Sequence, residues 1–296
     1  MKYVDSYREL LEQKPATLRD KARKLGLDGI AAGFRLGHSY KNLFRLPRVQ
    51  FLYIHHVFGD EQKKLDRLLQ ALSRDHQFIS HSEGVERISQ GNIDKAYISI
   101  SSDDGLKNNL RAAETLDQYG ISGCFFICPS MIGEKDFQKI EAFSASRLHF
   151  PPVEFLDWDD VAALQGRGHE LGGHTLSHIN IARTSGAKLE EEIAGCYSVL
   201  KARCGSAGHF AYPYGRFTDF SRLGRQLVIQ SGFTSCASAQ RGCHIVAPGQ
   251  QIDPQDLLIR RDHVVLDWPL EHILYFIARN ASKASIENNS YEVLCA

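Results

Sequence analysis

Two adjacent carboxylates at the end of a strand-like run are the first residues whose placement suggests chemistry. Asp103 and Asp104 follow the β-rich run KAYISIS and precede Gly105 and a helix-like segment. Side chains in a regular strand alternate between faces, so neighbours cannot both serve one pocket. The end of a strand relaxes this rule, and Gly105 lets the chain bend there. Two like charges can coexist if a dication neutralises one carboxylate and the other works as a base.

Two histidines in the segment HTLSH supply the matching ligands. The spacing of His174 and His178 places two imidazoles on one face of a helical turn, which suits a single metal ion. Two imidazoles and one carboxylate make three protein ligands and leave a position open for water, as a catalytic zinc site requires. We therefore expect one aspartate of the pair to bind a metal and the other to act as a base.

The surrounding pattern predicts the elements that must position these residues. Strand-like runs alternate with helical segments from Val49 onward, which indicates βα units and a parallel sheet. Roughly seven such units suit a closed barrel better than an open sheet, and chemistry in such barrels lies at the carboxyl ends of the strands. We predict a helical extension at residues 1–47, a deformed (β/α)7 TIM-like barrel at 48–280 and a polar tail at 281–296.

Composition excludes several classes of function. Thirty-five basic and thirty-five acidic residues cancel, so nucleic-acid binding, which usually needs a basic excess, is not expected. The chain lacks an apolar run long enough to span a membrane. Its N-terminus lacks the apolar core of a signal peptide, which predicts a cytoplasmic location. Seven scattered cysteines without a C-x-x-C pair argue against a disulfide framework. Oligomeric state has no signal in the sequence.

The order of three motifs resembles a known family. DDG, then HTLSH, then FAYPYG is similar to the polysaccharide deacetylase family, also called the NodB-homology group or carbohydrate esterase family 4. SSDDG stands where that family usually has T-F-D-D-G, and HTLSH matches its H-[ST]-x-x-H. The resemblance runs from about Val49 to Asn280. It implies a deformed barrel of about seven βα units and a divalent metal, most often zinc.

The resemblance also implies roles for individual residues. Asp104, His174 and His178 would bind the metal, and Asp103 would be the catalytic base. Tyr214, in the YPYG segment, would offer its backbone N–H to the developing oxyanion, beside the metal.

One departure concerns the arginine that steadies the base. The third motif begins with Arg in the best-known members of the family, and here that position is Ala211. The late segment LLIRRDHVV offers Arg260 and Arg261 instead. We prefer Arg261, because many relatives carry a late segment that resembles Arg-Asp-His.

A second departure concerns the general acid. The family's late Leu-x-Leu-His is absent, but FLYIHHV resembles the Tyr-His-x-Val strand of members with a rearranged motif order. This resemblance favours His55 as the acid, with His56 and His263 as alternatives. We expect one of the adjacent His55 and His56 to face the barrel interior and the other to face the helices.

The expected activity is that of a metal-dependent carbohydrate deacetylase. Its substrate would carry an N-acetyl or similar acyl group on a sugar precursor or a surface-polysaccharide intermediate. Two alternatives stay open: a hydrolase of non-sugar cyclic amides or ureides on the same barrel, and a catalytically inactive barrel that binds glycans.

Overall fold

The computed structural model describes residues 2–13, 17–36, 39–247 and 249–289. The strands in these ranges are Arg48–Ile54 (β1), Gln77–Phe78 (β2), Ala96–Ser102 (β3), Cys124–Ile127 (β4), Glu170–Gly173 (β5), His209–Ala211 (β6), Ser235–Ala237 (β7), Leu258–Ile259 (β8) and Arg261–His263 (β9). The α-helices are Tyr7–Gln13 (α1), Leu18–Leu36 (α2), Ser39–Arg45 (α3), Gln62–Leu72 (α4), His81–Gln90 (α5), Asn109–Gln118 (α6), Phe137–Phe143 (α7), Trp158–Gly166 (α8), Gly186–Cys204 (α9), Arg222–Ser231 (α10) and Leu270–Ala281 (α11).

The strands form one parallel sheet in the order β8-β7-β6-β5-β4-β3-β1-β9, with β2 beside β3. Only Arg260 separates β8 from β9 along the chain, yet β8 pairs with β7 and β9 pairs with β1. One extended segment therefore joins the two ends of the sheet and nearly closes it into a barrel. Counting that segment once gives seven positions around the ring. The predicted deformed (β/α)7 barrel is confirmed.

Side chains along strand β3 point alternately into the barrel and towards the surrounding helices. Tyr97 packs with the apolar cluster inside the barrel, which also contains Phe51 and Phe126. Ile98 and Ile100 belong to the larger cluster between the strands and the helices. This alternation follows from the two-residue period of a strand, and continuing it directs position 103 towards the barrel interior.

The N-terminal segment packs over the carboxyl ends of the strands. Val4 is buried with Phe58 and Phe155 in a third apolar cluster, and Tyr7 and Leu10 pack against it. None of the described helices combines the length and apolar character needed to cross a membrane. The division into extension, barrel and tail stays a prediction, and residues 290–296 of the predicted tail lie outside the described ranges. The six cysteines within those ranges are buried and unpaired.

Gly172, on β5, lies where a side chain does not fit. An added Cβ would lie 2.5 Å from Phe126 Cδ1 and 2.9 Å from the His209 carbonyl oxygen. We expect Gly172→Ala to lower the free energy of unfolding by about 1–3 kcal/mol, because overpacking forces side-chain and backbone shifts. Urea unfolding followed by circular dichroism measures this change. Gly166→Ala is the matched control: the new Cβ at that helical position meets no heavy atom within 4 Å, so its stability should hold or rise slightly. Equal midpoints for the two variants would contradict the prediction.

Candidate active site

The carboxyl ends of the strands surround a cavity of about 350 Å³. The residues singled out from the sequence come from distant parts of the chain, and the structure brings them together in its lining: His55, Asp103, Asp104, His174, His178, Tyr214 and Arg261. The two alternative acids, His56 and His263, also line this cavity, whereas Arg260 does not. Candidate ligands, base and acids therefore share one space.

Asp104, His174 and His178 have the geometry of a metal site. Asp104 Oδ1 lies 3.5 Å from His174 Nε2 and 3.4 Å from His178 Nε2. One potential ligand atom from each residue lies within 4.8 Å of the other two. A tetrahedral centre with metal–ligand bonds near 2.0–2.2 Å separates its ligand atoms by about 3.3–3.6 Å. Asp104 Oδ1 is buried with no hydrogen-bond partner among the described residues. A divalent metal fits this donor set.

The protonation of the ligands agrees with that fit. His174 Nδ1 lies 2.6 Å from the Ala211 carbonyl oxygen; only a protonated Nδ1 can donate to a carbonyl, which leaves the Nε2 lone pair free for a metal. Burial lowers the pKa of His174 to about 4, so the ring is neutral near pH 7. Burial would raise the pKa of Asp104, but the adjacent His178 ring outweighs it and holds that pKa below its usual value.

The two histidines lie in a turn, so the expected helical turn is wrong. Thr175 and His178 have left-handed backbone conformations, with φ of 60° and 54°. Buried Glu192 on α9 holds the turn: its carboxylate accepts hydrogen bonds from Ser177 N (2.8 Å) and Ser177 Oγ (2.5 Å). An i, i+4 spacing fits either geometry, and only these contacts select the turn.

A left-handed residue also explains the two adjacent carboxylates. Position 103 continues the inward alternation of β3, and regular strand geometry would send position 104 outward. Asp104 instead has φ of 75° and Gly105 has φ of 78°, so the strand is broken and both carboxylates line the same cavity. A non-glycine residue in this conformation costs about 1–3 kcal/mol and persists only where the surroundings impose it.

Asp103 forms a buried, two-pronged ion pair with Arg261. Arg261 Nη1 lies 2.7 Å from Oδ1 and Nη2 lies 2.8 Å from Oδ2. The guanidinium also donates through Nε to the Ser238 carbonyl oxygen, and it lies over the ring of Tyr53. Burial alone would raise the pKa of Asp103, but the Arg261 charge outweighs it and holds that pKa below its usual value. The carboxylate therefore stays ionised near neutral pH.

Tyr214 also has a left-handed backbone, with φ of 63°. The next residue, Gly215, has φ of 69°, and a Cβ there would lie 2.2 Å from the Ala239 Cβ. Ala239 N donates to the Gly215 carbonyl oxygen, which anchors the turn to the loop after β7. No described residue accepts a hydrogen bond from Tyr214 N–H. That N–H is available to a ligand.

His55 and His263 form a hydrogen-bonded pair. His55 Nδ1 lies 3.1 Å from His263 Nε2, and the His263 ring stacks on Tyr53. Burial lowers the pKa of His263 to about 3, so this ring is neutral near pH 7. A neutral His263 can accept the Nδ1–H of His55, and this hydrogen bond orients the His55 ring.

His56 has a different partner, buried Glu61, which lies outside the set expected from the sequence. His56 Nδ1 lies 2.9 Å from Glu61 Oε2, and the His56 ring stacks against Phe150. The expectation that one of His55 and His56 faces the helices is wrong. Both follow the end of β1 at Ile54, where strand alternation no longer applies. Glu61 gave no signal in the sequence, because DEQKKLDR reads as a solvated helix face.

Comparison with known families identifies the class of protein. Residues 90–234 match the family model described as "Polysaccharide deacetylase". The resemblance stated from the motifs is confirmed over these residues.

Several solved structures share the fold at low sequence identity. IcaB from Ammonifex degensii is 17% identical, with a TM-score of 0.57 over 78% of this chain and 97% of its own. The Streptococcus pyogenes deacetylase PplD, solved with acetate, is 15% identical, with a TM-score of 0.59 over 79% and 98%. A de-N-acetylase from Aggregatibacter actinomycetemcomitans is 14% identical, with a TM-score of 0.57 over 77% and 99%. No curated protein matches the chain.

The Arg261–Asp103 pair should contribute measurably to stability. We expect Arg261→Met to lower the free energy of unfolding by about 3–5 kcal/mol, because it leaves a buried carboxylate without its partner. Chemical denaturation measures the loss. The double variant Arg261→Met with Asp103→Leu should recover part of it, since no charge is then stranded. Arg260→Met is the neighbouring control, at a residue outside the pair, and should cost less. A double variant no more stable than Arg261→Met would show that the stranded charge is not the cause.

Proposed function

We propose that the protein is a metal-dependent hydrolase that removes an N-acetyl or similar small acyl group from a sugar. The observation that carries this proposal is the single cavity that joins the Asp104, His174 and His178 cluster to the ion-paired Asp103. The match of residues 90–234 to the polysaccharide deacetylase family model supports the same reaction class.

The metal would be held by Asp104, His174 and His178, and Zn²⁺ suits one carboxylate with two imidazoles. When bound there, it supplies Lewis acidity, which polarises a carbonyl and brings the pKa of a water ligand to about 7.

The base and the oxyanion donor are provided by the chain. Asp103 takes a proton from the attacking water, and Arg261 holds both of its oxygens in place and keeps them ionised. As the amide carbon becomes tetrahedral, negative charge develops on its oxygen. The backbone N–H of Tyr214 donates to that oxygen from a turn that is already formed, so no reorganisation is needed.

The leaving amine needs a proton, and His55 is the preferred donor. Its Nδ1 is oriented by His263 Nε2, which leaves Nε2 of His55 to carry the transferred proton. His56, paired with Glu61, is the alternative. His263 acts in this scheme as a positioning residue, because burial keeps it neutral.

Metal removal tests the proposal. Chelation should abolish acetate release from N-acetylglucosaminides, and added Zn²⁺ should restore it. Asp104→Ala should lose both bound metal and activity, whereas Asp159→Ala, at an exposed carboxylate, should keep both. Turnover unchanged by chelation would refute metal dependence.

The two alternative functions have their own tests. Turnover of cyclic imides or ureides by the same purified protein would support a hydrolase of non-sugar amides. Metal-loaded protein that binds glycans without turnover would establish the inactive barrel.

Paired histidine variants distinguish the two acids. His55→Gln should lower kcat by about 100- to 10,000-fold with little change in KM, because a general acid typically contributes that much to the rate. His56→Gln, the matched control at the next residue, should have a much smaller effect. Steady-state kinetics on the best substrate measures both, and a larger loss in His56→Gln would transfer the role to the His56–Glu61 pair.

A further inference from the structure

Seven of the side chains that line the cavity are aliphatic or aromatic and take no part in the proposed chemistry. They come from separate segments of the chain: Leu10, Leu106, Leu148, Phe150, Val264, Val265 and Leu266. We propose that this apolar wall binds a hydrocarbon group carried by the sugar substrate. This inference rests on the proposed function and specifies the substrate class of the same site.

Backbone hydrogen bonds hold the N-terminal part of the apolar wall in place. Asp60 accepts hydrogen bonds from the backbone N–H groups of Tyr7 (3.0 Å) and Arg8 (3.2 Å), which anchors the start of α1. Val4 N donates to the Pro152 carbonyl oxygen at 3.0 Å, which ties the N-terminal segment to the loop carrying Leu148 and Phe150. These contacts place Leu10 and Leu148 against the same apolar cluster.

The polar side chains that line the cavity are carboxylates, arginines (Arg147 and Arg261), tyrosines and histidines. Among the described residues that line it there is no Ser, Thr, Asn, Gln or Trp, so neutral side-chain hydrogen-bonding groups are limited to Tyr and His. Asp103 is engaged by Arg261, and Asp104 belongs to the metal cluster. A hydroxyl-rich oligosaccharide would leave many of its polar groups unpaired against the aliphatic side chains, and that costs free energy. A hydrocarbon group bound against these side chains would increase the affinity by up to about fourfold for each buried methylene.

The hydrocarbon has two possible sources on such a substrate. It could be the acyl chain itself, longer than acetyl, or an apolar group attached to the sugar away from the amide, as in a glycolipid. Both would bury the same methylene groups against the same wall, so the chemistry is shared and the sources are separated by experiment.

Binding of alkyl glucosides tests the wall without requiring turnover. We expect hexyl glucoside, below its micelle concentration, to bind the metal-loaded protein at least about tenfold more tightly than methyl glucoside in calorimetry. Equal affinities would overturn the inference. This measurement does not depend on deacetylation, so an inactive protein could still confirm the wall, and an active one could still refute it.

Substitutions that replace an apolar side chain by a polar one of similar shape test whether the apolar wall causes the preference for hexyl glucoside. Val265→Thr and Leu148→Asn should each reduce the preference for hexyl over methyl glucoside by about threefold or more. Leu223→Asn, at a leucine that is 49% exposed and outside the cavity lining, should leave it unchanged. The same loss in all three variants, or in none, would contradict the assignment.

Two substrate series then identify the source. Turnover that rises with the length of the N-acyl chain places the hydrocarbon on the scissile group. Turnover that rises with the alkyl aglycone of an N-acetylglucosaminide places it on the other side of the sugar. A decline along both series would overturn the proposed substrate class even if N-acetylglucosamine itself is deacetylated.

Discussion

The buried ion pair between Arg261 and Asp103 is the interaction on which the rest of the site depends. Taking two charges out of water is costly, and the cost is offset only when both partners are well paired. Arg261 lies on β9 and Asp103 follows β3, with β1 between them, so the pair forms only when the last strand has closed the barrel. Closure of the fold therefore supplies the charge that keeps the buried Asp103 carboxylate ionised. A carboxylate buried here without its arginine would have a raised pKa and would be protonated more readily.

Backbone strain is concentrated in the same place. The non-glycine residues with left-handed φ in the described ranges are Asp104, His149, Thr175, His178 and Tyr214. Each belongs to a segment that forms the cavity, and such conformations persist only where neighbouring structure imposes them. Here the restraints are visible: Glu192 holds the histidine turn, and Ala239 holds the turn that follows Tyr214. The fold thus fixes side-chain directions that regular strands or helices would not allow.

Local pattern predicted the barrel and the two pairs at its mouth, Asp103–Asp104 and His174–His178. His55, Tyr214 and Arg261 were singled out by the resemblance to a known family. Alternating strands and helices identify the fold class because their periods are local properties of the chain. The inward direction of Asp103 also follows from the period of β3. The left-handed turn at Asp104 does not, because only contacts formed in the folded chain make it favourable. The partnership of His56 with Glu61 and the anchoring of α1 by Asp60 were missed for a related reason: ordinary surface-type residues acquire these roles through packing.

The matched family segment, residues 90–234, contains the metal-site residues, Asp103 and Tyr214. His55 precedes that segment and Arg261 follows it. The pairing of β1 with β9 makes these two flanking regions neighbours. Leu10 and Val264–Leu266 of the apolar wall also come from these flanks. With the proposed metal bound, this segment would have to keep ligand distances within tenths of an ångström, which would leave its sequence little freedom. In the same proposal the flanks would meet the substrate away from the metal, so that variation there would change the accepted substrate without disturbing the ligand geometry.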